Sequence, residues 1–219
     1  AAQLDALIFP PWGIDDSGFV RMKSRGIYVL EMMGYLKKSC VIFSGQDHPL
    51  LRQYNHRVRC WLDDEDIVVK NAELTALGVL AKLISIAERS LKEVVVDVIG
   101  TGRCAKACAD LFERLNVSYR FVSRHPEPSM IESSQWLKSN PNDIIINTAP
   151  VCMIDQEVMD HWRSMKTVID LASGFPFVDS ACLKHPFLKL IQMKAVPAQY
   201  TPISAAELIC QFVLKEIRT

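Results

Sequence analysis

Two glycines, Gly100 and Gly102, lie between an apolar run and a helical pattern, and Ala105 follows three residues later. The run Val94–Ile99 is mostly β-branched, which is typical of a parallel strand buried on both faces. In a turn of this spacing the first glycine allows the tight bend, and the second lets a pyrophosphate approach the backbone. The helix that starts near Arg103 would direct its free N–H groups at the phosphates. The stretch therefore predicts a dinucleotide-binding turn.

The second strand of this unit ends without the acidic residue that would bind an adenosine ribose. It reads Tyr119–Val122 and continues as Ser123, Arg124 and His125. A hydroxyl followed by a guanidinium suits a 2′-phosphate, because a planar fork of donors can hold two phosphate oxygens. The sequence therefore favours NADP over NAD. The alternative is an ordinary strand-to-helix turn that binds no ligand.

The residues expected to contact the cofactor follow four predicted strands, where ligands of parallel sheets bind. They are Gly100, Thr101, Gly102, Arg103 and Cys104; Ser123, Arg124 and His125; Asn147, Thr148, Ala149 and Pro150; and Ala172. The nicotinamide is expected over the last two of these groups. The adenine half would then be held by the first two.

Strands and helices alternate along the chain, which predicts parallel sheets built from βαβ units. The predicted fold class is α/β, with two Rossmann-like lobes whose sheets face a cleft and which a long helix links. Residues 1–88 would form a substrate-side lobe, truncated at its start, and residues 89–200 an NAD(P)-binding domain. Residues 201–219 would form a helix that packs back on the first lobe.

Helical spacing of apolar residues predicts four helices that frame these lobes. They are Tyr28–Lys38, His48–His56, the long helix Ile67–Ser90 and the amphipathic Pro202–Ile217. The acidic run that precedes the long helix, Asp63–Asp66, is expected to be a solvated turn rather than a cation site. The first and last of the helices could serve a homo-oligomer, although core packing explains them equally well.

The composition excludes several classes of protein. Lys plus Arg (25) balance Asp plus Glu (25) in the 219 residues, which argues against nucleic acid as a main partner. No window approaches the roughly 18 apolar residues of a membrane span, and no leader opens the chain. The seven cysteines are odd in number and scattered through apolar elements, as expected in a reducing cytoplasm. Cys104 and Cys108 lie one helical turn apart, but we expect core packing there and no metal site.

Several segments together resemble the first subunit of dipicolinate synthase, an enzyme family found in spore-forming bacteria. The segments that carry the resemblance are Leu7–Pro10, Gly13–Gly18, Val41–Gly45, Asn71 with Thr75, Ala76 and Gly78 (N-S-I-P-T-A-E-G in the family), Gly100–Arg103 (the G-x-G-R turn), Ile146–Pro150 (I-N-T-x-P) and Ile169–Ser173 (I-D-L-A-S). The resemblance implies an NADP-dependent oxidation of dihydrodipicolinate to dipicolinate, beside a flavoprotein-like second subunit. The chain departs from the family at Leu74, Leu77, Ala105 and Gly174–Phe177, and it lacks the family's opening βα segment.

A carboxylated substrate needs hydrogen-bond donors, which the first lobe offers at its strand ends and at the start of the long helix. The candidates are Gly13, Asp15, Ser44, Gly45, Asn71 and Thr75. Two of them have simpler explanations, since Asp15 suits an ordinary turn and Asn71 a helix N-cap.

No catalytic residue can be assigned from the sequence. Histidine is the usual general base near neutral pH, but the candidates lie in contexts typical of a surface. They are His48, His56, His161 and His185. Besides an oxidoreductase, the sequence leaves open a noncatalytic NAD(P)-binding subunit or sensor derived from the family. A reductase similar to shikimate or glutamyl-tRNA reductases is a third interpretation.

Overall fold

The computed structural model describes residues 4–11, 13–21, 26–52 and 57–218. It divides into two compact units, the first made of Ala1–Lys70 with Ala206–Thr219 and the second of Asn71–Ala205. The elements of the first unit are β1 (Leu4–Ile8), β2 (Phe19–Arg21), β3 (Gly26–Tyr28), α1 (Val29–Met33), β4 (Leu36–Ser44), α2 (Pro49–Arg52), β5 (Arg57–Cys60) and the start of α3 (Glu65–Ile86). A short 3-10 turn, Trp61–Asp63, joins β5 to α3.

The first unit is built on a parallel sheet of three strands in the order β1-β4-β5. An antiparallel pair, β2 and β3, lies outside this sheet. One face of the unit is closed by the last helix of the chain, because buried Phe212 and Val213 cluster with Phe43, Trp61 and Ile67. The rings of Phe43 and Phe212 meet edge to face at 6.3 Å.

Two predicted helices of this unit differ from the structure. The helix predicted over Tyr28–Lys38 is wrong beyond Met33, because the chain turns at Gly34 and Leu36 begins strand β4. Leu36 fits both the helical spacing and the strand's alternation with Cys40 and Ile42, so the pattern was ambiguous there. The helix predicted over residues 48–56 is observed as α2 alone, and residues 53–56, with His56, lie outside the described residues.

The long helix α3 begins inside the acidic run that was predicted to be a solvated turn. An oxygen of Asp64 accepts a hydrogen bond from the N–H of Ile67 at 3.2 Å, as an N-cap residue does. The hydrogen bond from Ile67 lowers the pKa of the Asp64 carboxyl. Asn71 is the seventh residue of the helix, so its interpretation as an N-cap is wrong.

Replacing Asp64 with Ala should lower the free energy of unfolding by about 1 kcal/mol at neutral pH, the usual value of an N-cap. Because folding lowers this pKa, the contribution is present above the unfolded value near 4 and is lost as the pH falls through the folded value. Urea unfolding at pH 7 and pH 3 measures both effects. The neighbouring, exposed Asp63→Ala is the control, and an equal loss at both pH values would contradict the cap.

The second unit contains a six-stranded, wholly parallel sheet. After α3 its elements are β6 (Val95–Ile99), α4 (Arg103–Leu115), β7 (Ser118–Ser123), β8 (Ile131–Glu132), α5 (Ser133–Leu137), β9 (Ile144–Asn147), α6 (Gln156–Met159), β10 (Lys166–Asp170), β11 (Leu188–Gln192), α7 (Val196–Tyr200) and the start of α8 (Pro202–Arg218). Short 3-10 turns precede β6 and follow β10, at Leu91–Glu93 and Ser180–Cys182.

The strand order β8-β7-β6-β9-β10-β11 is that of a doubly wound dinucleotide-binding fold. The order reverses between β6 and β9, the two central strands, and the crevice at their carboxyl ends is where such sheets bind ligands. The predicted α/β fold with Rossmann-like, parallel units is therefore confirmed. None of the helices in the described ranges is long and apolar enough to cross a membrane.

The core of the second unit packs α3 and α4 on one face of this sheet. Val79 and Leu83 of α3, Val98 of β6 and Phe112 of α4 are all completely buried in one cluster. A second buried cluster, around Trp136, Ile145, Trp162 and Phe177, includes side chains of α5, β9 and the segment after β10. With both faces covered, the carboxyl edge of the sheet is fixed in place for a ligand.

Candidate functional site

The loops after the two central strands meet at the switch point of the second unit. Thr148 donates both its backbone N–H (3.1 Å) and its hydroxyl (2.8 Å) to the carbonyl oxygen of Ile99. Gly100 has φ +99°, and a Cβ added to it would lie 2.7 Å from Oγ1 of Thr148. Any other residue would be strained here, so the turn requires glycine. The structure thus brings together two parts of the predicted cofactor site.

Gly102 is the N-cap of α4 and is exposed. Among the described residues, no atom other than those of Gly102 and its two chain neighbours lies within 4 Å of the position that its Cβ would occupy, and glycine has no side chain with which to cap the helix. A helix of 13 residues therefore begins at an open space, and its N-cap residue offers no side chain to the first N–H groups. This is the geometry that admits a pyrophosphate, so these residues fit a dinucleotide.

Arg124 lies just past the end of β7, the strand next to β6, at the same edge of the sheet. Its side chain is exposed and makes no hydrogen bond or ion pair within the described part of the chain. The hydroxyl of Ser123 accepts the backbone N–H of His125 at 3.1 Å, which fixes the turn that carries Arg124. The guanidinium is therefore available for an anionic ligand.

Asn147 joins the loops that follow β9 and β10. It is fully buried, and its Nδ2 donates to Asp170 at 2.8 Å and to the carbonyl of Ala149 at 3.0 Å. Its Oδ1 accepts the N–H of Ala149, and Asp170 also accepts the N–H of Ala172. All polar atoms of Asn147 are used inside the protein, so this side chain positions the backbone of Thr148 and Ala149.

Four other predicted cofactor residues lie just after strands β6 and β9. Thr101 is half-buried, and Arg103 and Pro150 are exposed. Burial raises the pKa of Cys104, and burial raises that of Cys108 to about 12, so both thiols stay protonated at neutral pH. Within the described ranges no three His, Cys, Asp or Glu side chains are grouped so as to hold a metal ion.

In the first unit, the loops that follow β1 and β4 also meet. A Cβ added to Gly13 would lie 3.4 Å from the hydroxyl of Ser44, and one added to Gly45 would lie 2.5 Å from the carbonyl oxygen of Pro11. The hydroxyl of Ser44 is fully buried and has no hydrogen-bond partner among the described residues. The structure thus groups Gly13, Ser44 and Gly45, three of the six predicted substrate residues.

The other three predicted substrate residues have local hydrogen bonds. A carboxylate oxygen of Asp15 accepts the N–H groups of Ser17 and Phe19, both at 3.0 Å, and so stabilises the turn. Asn71 and Thr75 lie one turn apart on α3, in the second unit. The Thr75 hydroxyl donates to the carbonyl of Asn71 at 2.8 Å. These contacts give the side chains of Asp15 and Thr75 a structural role without a ligand.

His48 is a candidate general base that sequence reasoning interprets as a surface residue. It lies three residues after Gly45 and is half-buried beside a pocket of about 590 Å³ in the first unit. The pocket is lined by Gly13, Ile14, Asp16, Ser17, Tyr28, Gln46, Asp47, His48, Pro49 and Leu50. The available signal was its short distance in sequence from a predicted strand end. Of the other histidines that were interpreted as surface residues, His161 and His185 are also half-buried, and both lie in the second unit.

Comparison with known proteins agrees with this architecture. The first subunit of dipicolinate synthase from Bacillus subtilis (strain 168) is 23% identical in an alignment 230 residues long. The alignment covers 97% of this chain and 77% of that protein. The crystal structure of the same subunit from Bacillus halodurans has a TM-score of 0.84 at 23% identity, covering 99% of this chain and 80% of that one. The resemblance to the first subunit of dipicolinate synthase is confirmed.

Proteins with lower sequence identity to this chain than dipicolinate synthase also share the fold. A putative D-isomer specific 2-hydroxyacid dehydrogenase, NAD-binding, from Polaromonas sp. JS6 66 has a TM-score of 0.62 at 11% identity, covering 98% of this chain and 82% of that one. No family model matches the chain. These likenesses establish the Rossmann-like fold of the chain.

Proposed function

We propose that this protein is an NADP-dependent oxidoreductase that acts on a small carboxylated metabolite. The specific reaction proposed is the oxidation of dihydrodipicolinate to dipicolinate, as the resemblance to the first subunit of dipicolinate synthase suggests. The observation that carries the proposal is the open space at Gly102, where α4 starts at the switch point of the sheet. By the same resemblance, a flavoprotein-like second subunit is the proposed partner.

Each group of residues at the carboxyl edge has a distinct part in this proposal. The turn at Gly100–Gly102 and the first N–H groups of α4 would hold the pyrophosphate. Arg124 would hold the 2′-phosphate, for which its exposed fork of donors is suited. The backbone of Thr148 and Ala149, fixed by Asn147, would position the nicotinamide end.

NADP, when bound, supplies the two-electron oxidant for such a reaction. The chain's residues need only orient the ring and exclude water, because converting a dihydropyridine to an aromatic ring is favourable and needs little acid-base assistance. The network of Asn147, Asp170 and Ala172 suits this task, since it rigidly joins the two loops that would flank the reacting ring. The proposal therefore assigns positioning to these residues and no general base.

Replacing Arg124 with Ala should weaken NADP binding by about tenfold or more, the value of a lost charged hydrogen bond or two. NAD binding should change little, because NAD has no 2′-phosphate. Isothermal titration calorimetry of both nucleotides measures the difference. Arg114→Ala is the matched control, since Arg114 is also exposed but lies near the C-terminal end of α4, about 17 Å along the helix from Arg103.

Three outcomes would count against parts of the proposal. If neither nucleotide binds at millimolar concentration, the chain is not a dehydrogenase, and the glycine turn has only a structural role. If NADP binds but no turnover of dihydrodipicolinate follows, the chain is a noncatalytic nucleotide-binding subunit. Equal losses of NADP and NAD affinity in Arg124→Ala would contradict the assignment of the 2′-phosphate to this residue.

A further inference from the structure

The pocket that contains His48 has walls that the sequence specifies closely. Gly18 has φ +84°, and a Cβ there would lie 2.7 Å from both Leu50 Cδ1 and Tyr28 Cε2. The loop after β1 can therefore pack against Tyr28 and Leu50 only with glycine at this position. Asp15 fixes the same loop through the N–H groups of Ser17 and Phe19. The concavity is thus a built feature of the first unit.

The imidazole of His48 is held in one orientation in this pocket. Its Nδ1 accepts a hydrogen bond from the backbone N–H of Leu50 at 3.2 Å. A neutral imidazole that accepts at Nδ1 carries its hydrogen at Nε2. His48 therefore offers an N–H donor and is suited to bind an acceptor such as a carboxylate oxygen.

Two carboxylates also line the pocket, and they differ in whether a neighbouring cation neutralises their charge. Asp47 forms an ion pair with Arg52, which neutralises its charge. Asp16 is exposed and has no ion pair with any residue that the structure describes. Asp16 is therefore available to accept a hydrogen bond from a ligand and would repel a second anionic group.

We propose that this pocket binds a carboxylated ligand that also carries an N–H donor, such as a saturated ring amine with a carboxylate beside it. The ligand's carboxylate accepts from Nε2 of His48, and its N–H group donates to Asp16. Tyr28, Pro49 and Leu50 supply apolar contacts for the ring. The carboxylate class of ligand comes from the proposed function, so the inference rests on it.

The test is calorimetric titration of the full chain with two probes, piperidine-2-carboxylate and pyridine-2-carboxylate. The piperidine should bind more tightly, because its ammonium group donates to Asp16 and the pyridine nitrogen cannot. His48→Phe should weaken binding of the piperidine by about tenfold or more, the value of a charged hydrogen bond. Asp16→Asn should reduce the preference for the piperidine.

His185 provides a matched control for His48. Its Nδ1 also accepts a backbone N–H two residues on, from Phe187 at 3.3 Å, but it lies in the second unit and outside the pocket. His185→Phe should leave the affinity for both probes unchanged. Thermal unfolding of each variant shows that the chain is folded before titration.

Nitrogen NMR of the labelled imidazole gives a second measurement that a purely structural role would not change. His48 should show an unprotonated Nδ1 and a protonated Nε2, and the piperidine probe should shift the Nε2 resonance alone. A protonated Nδ1, or an Nε2 resonance unaffected by saturating probe, would overturn the inference.

The calorimetric outcomes separate this inference from the proposed function. Failure of the wild type to bind either probe at millimolar concentration, or equal affinities of wild type and His48→Phe, would overturn the inference. Each variant is also titrated with NADP, which should bind as it does to the wild type. If NADP does not bind but probe affinity depends on His48, the oxidoreductase proposal fails and the assignment of the pocket stands.

Discussion

Replacing Gly102 with Asp should weaken NADP binding on the order of 100-fold, because a carboxylate placed beside the pyrophosphate costs several kcal/mol. The protein itself should tolerate the change. Apart from Gly102 and its two chain neighbours, no atom of the described residues lies within 4 Å of the Cβ position, and φ is −74°, which any residue adopts. Asp is also a preferred N-cap residue, so α4 should be equally or slightly more stable. A loss of binding therefore cannot be attributed to a damaged fold.

Two further variants separate charge from bulk in this experiment. Gly102→Asn has almost the same size and also caps a helix, but it is neutral, so it should retain more affinity than Gly102→Asp. Gly34→Asp introduces the same charge at another exposed glycine with open surroundings, in the first unit, and should leave NADP binding unchanged. Calorimetry measures the affinities, and thermal unfolding measures the stability. Wild-type affinity in Gly102→Asp would exclude Gly102 from the nucleotide site.

The fold of the second unit could be predicted because its signals are local. The β-branched run before Gly100 and the helical pattern after Gly102 specify a strand, a turn and a helix within 22 residues. The same local signals occur at the other strands, so the alternation implied a parallel sheet. The strand order itself, with β6 and β9 at its centre, depends on pairings between distant segments.

The pocket of the first unit could not be predicted, because its walls come from segments far apart in sequence. His48 lines it because the loop that contains Gly18 packs against Leu50 of α2, two residues after His48. In sequence, the same histidine resembles a surface residue that precedes a short helix. Positions with two compatible patterns were also ambiguous, as Leu36 shows, and the start of α3 was missed because acidic residues suit both turns and helix caps.

Conversely, the structure gives several predicted site residues a role in support of the loops. Asn147 was expected to contact the cofactor, but its buried amide is bonded to Asp170 and to the backbone of Ala149. The sequence shows that an amide lies at the strand end, but only the structure shows that its hydrogen bonds are made within the protein. In the proposed site, Asn147 acts on the nicotinamide end through the backbone of Thr148 and Ala149.

Replacing Asp97 with Ala should destabilise the second unit by about 3 to 5 kcal/mol, the cost of breaking a buried charged network. Asp97 lies in the central strand β6, its side chain is completely buried, and it pairs in register with Arg120 of β7. Arg120 donates to it twice, at 2.8 and 3.0 Å. Nε1 of Trp136 donates at 2.9 Å, and Asn142 donates through its backbone N–H and its Nδ2.

The loss arises mainly from the groups that Asp97 leaves without a partner. Arg120 is 40% exposed and can turn to water, whereas the buried indole N–H of Trp136 cannot. Urea unfolding measures the change, with Asp5→Ala as the control, because Asp5 is also ion-paired, to Lys37, but the two side chains are 80% and 40% exposed and the change should cost much less. Arg120→Met should also cost less than Asp97→Ala, since it keeps the acceptor for Trp136 and Asn142. Equal losses of stability in Arg120→Met and Asp97→Ala would show that the ion pair, and not the buried acceptor, holds β6, β7 and the segment around Trp136 together.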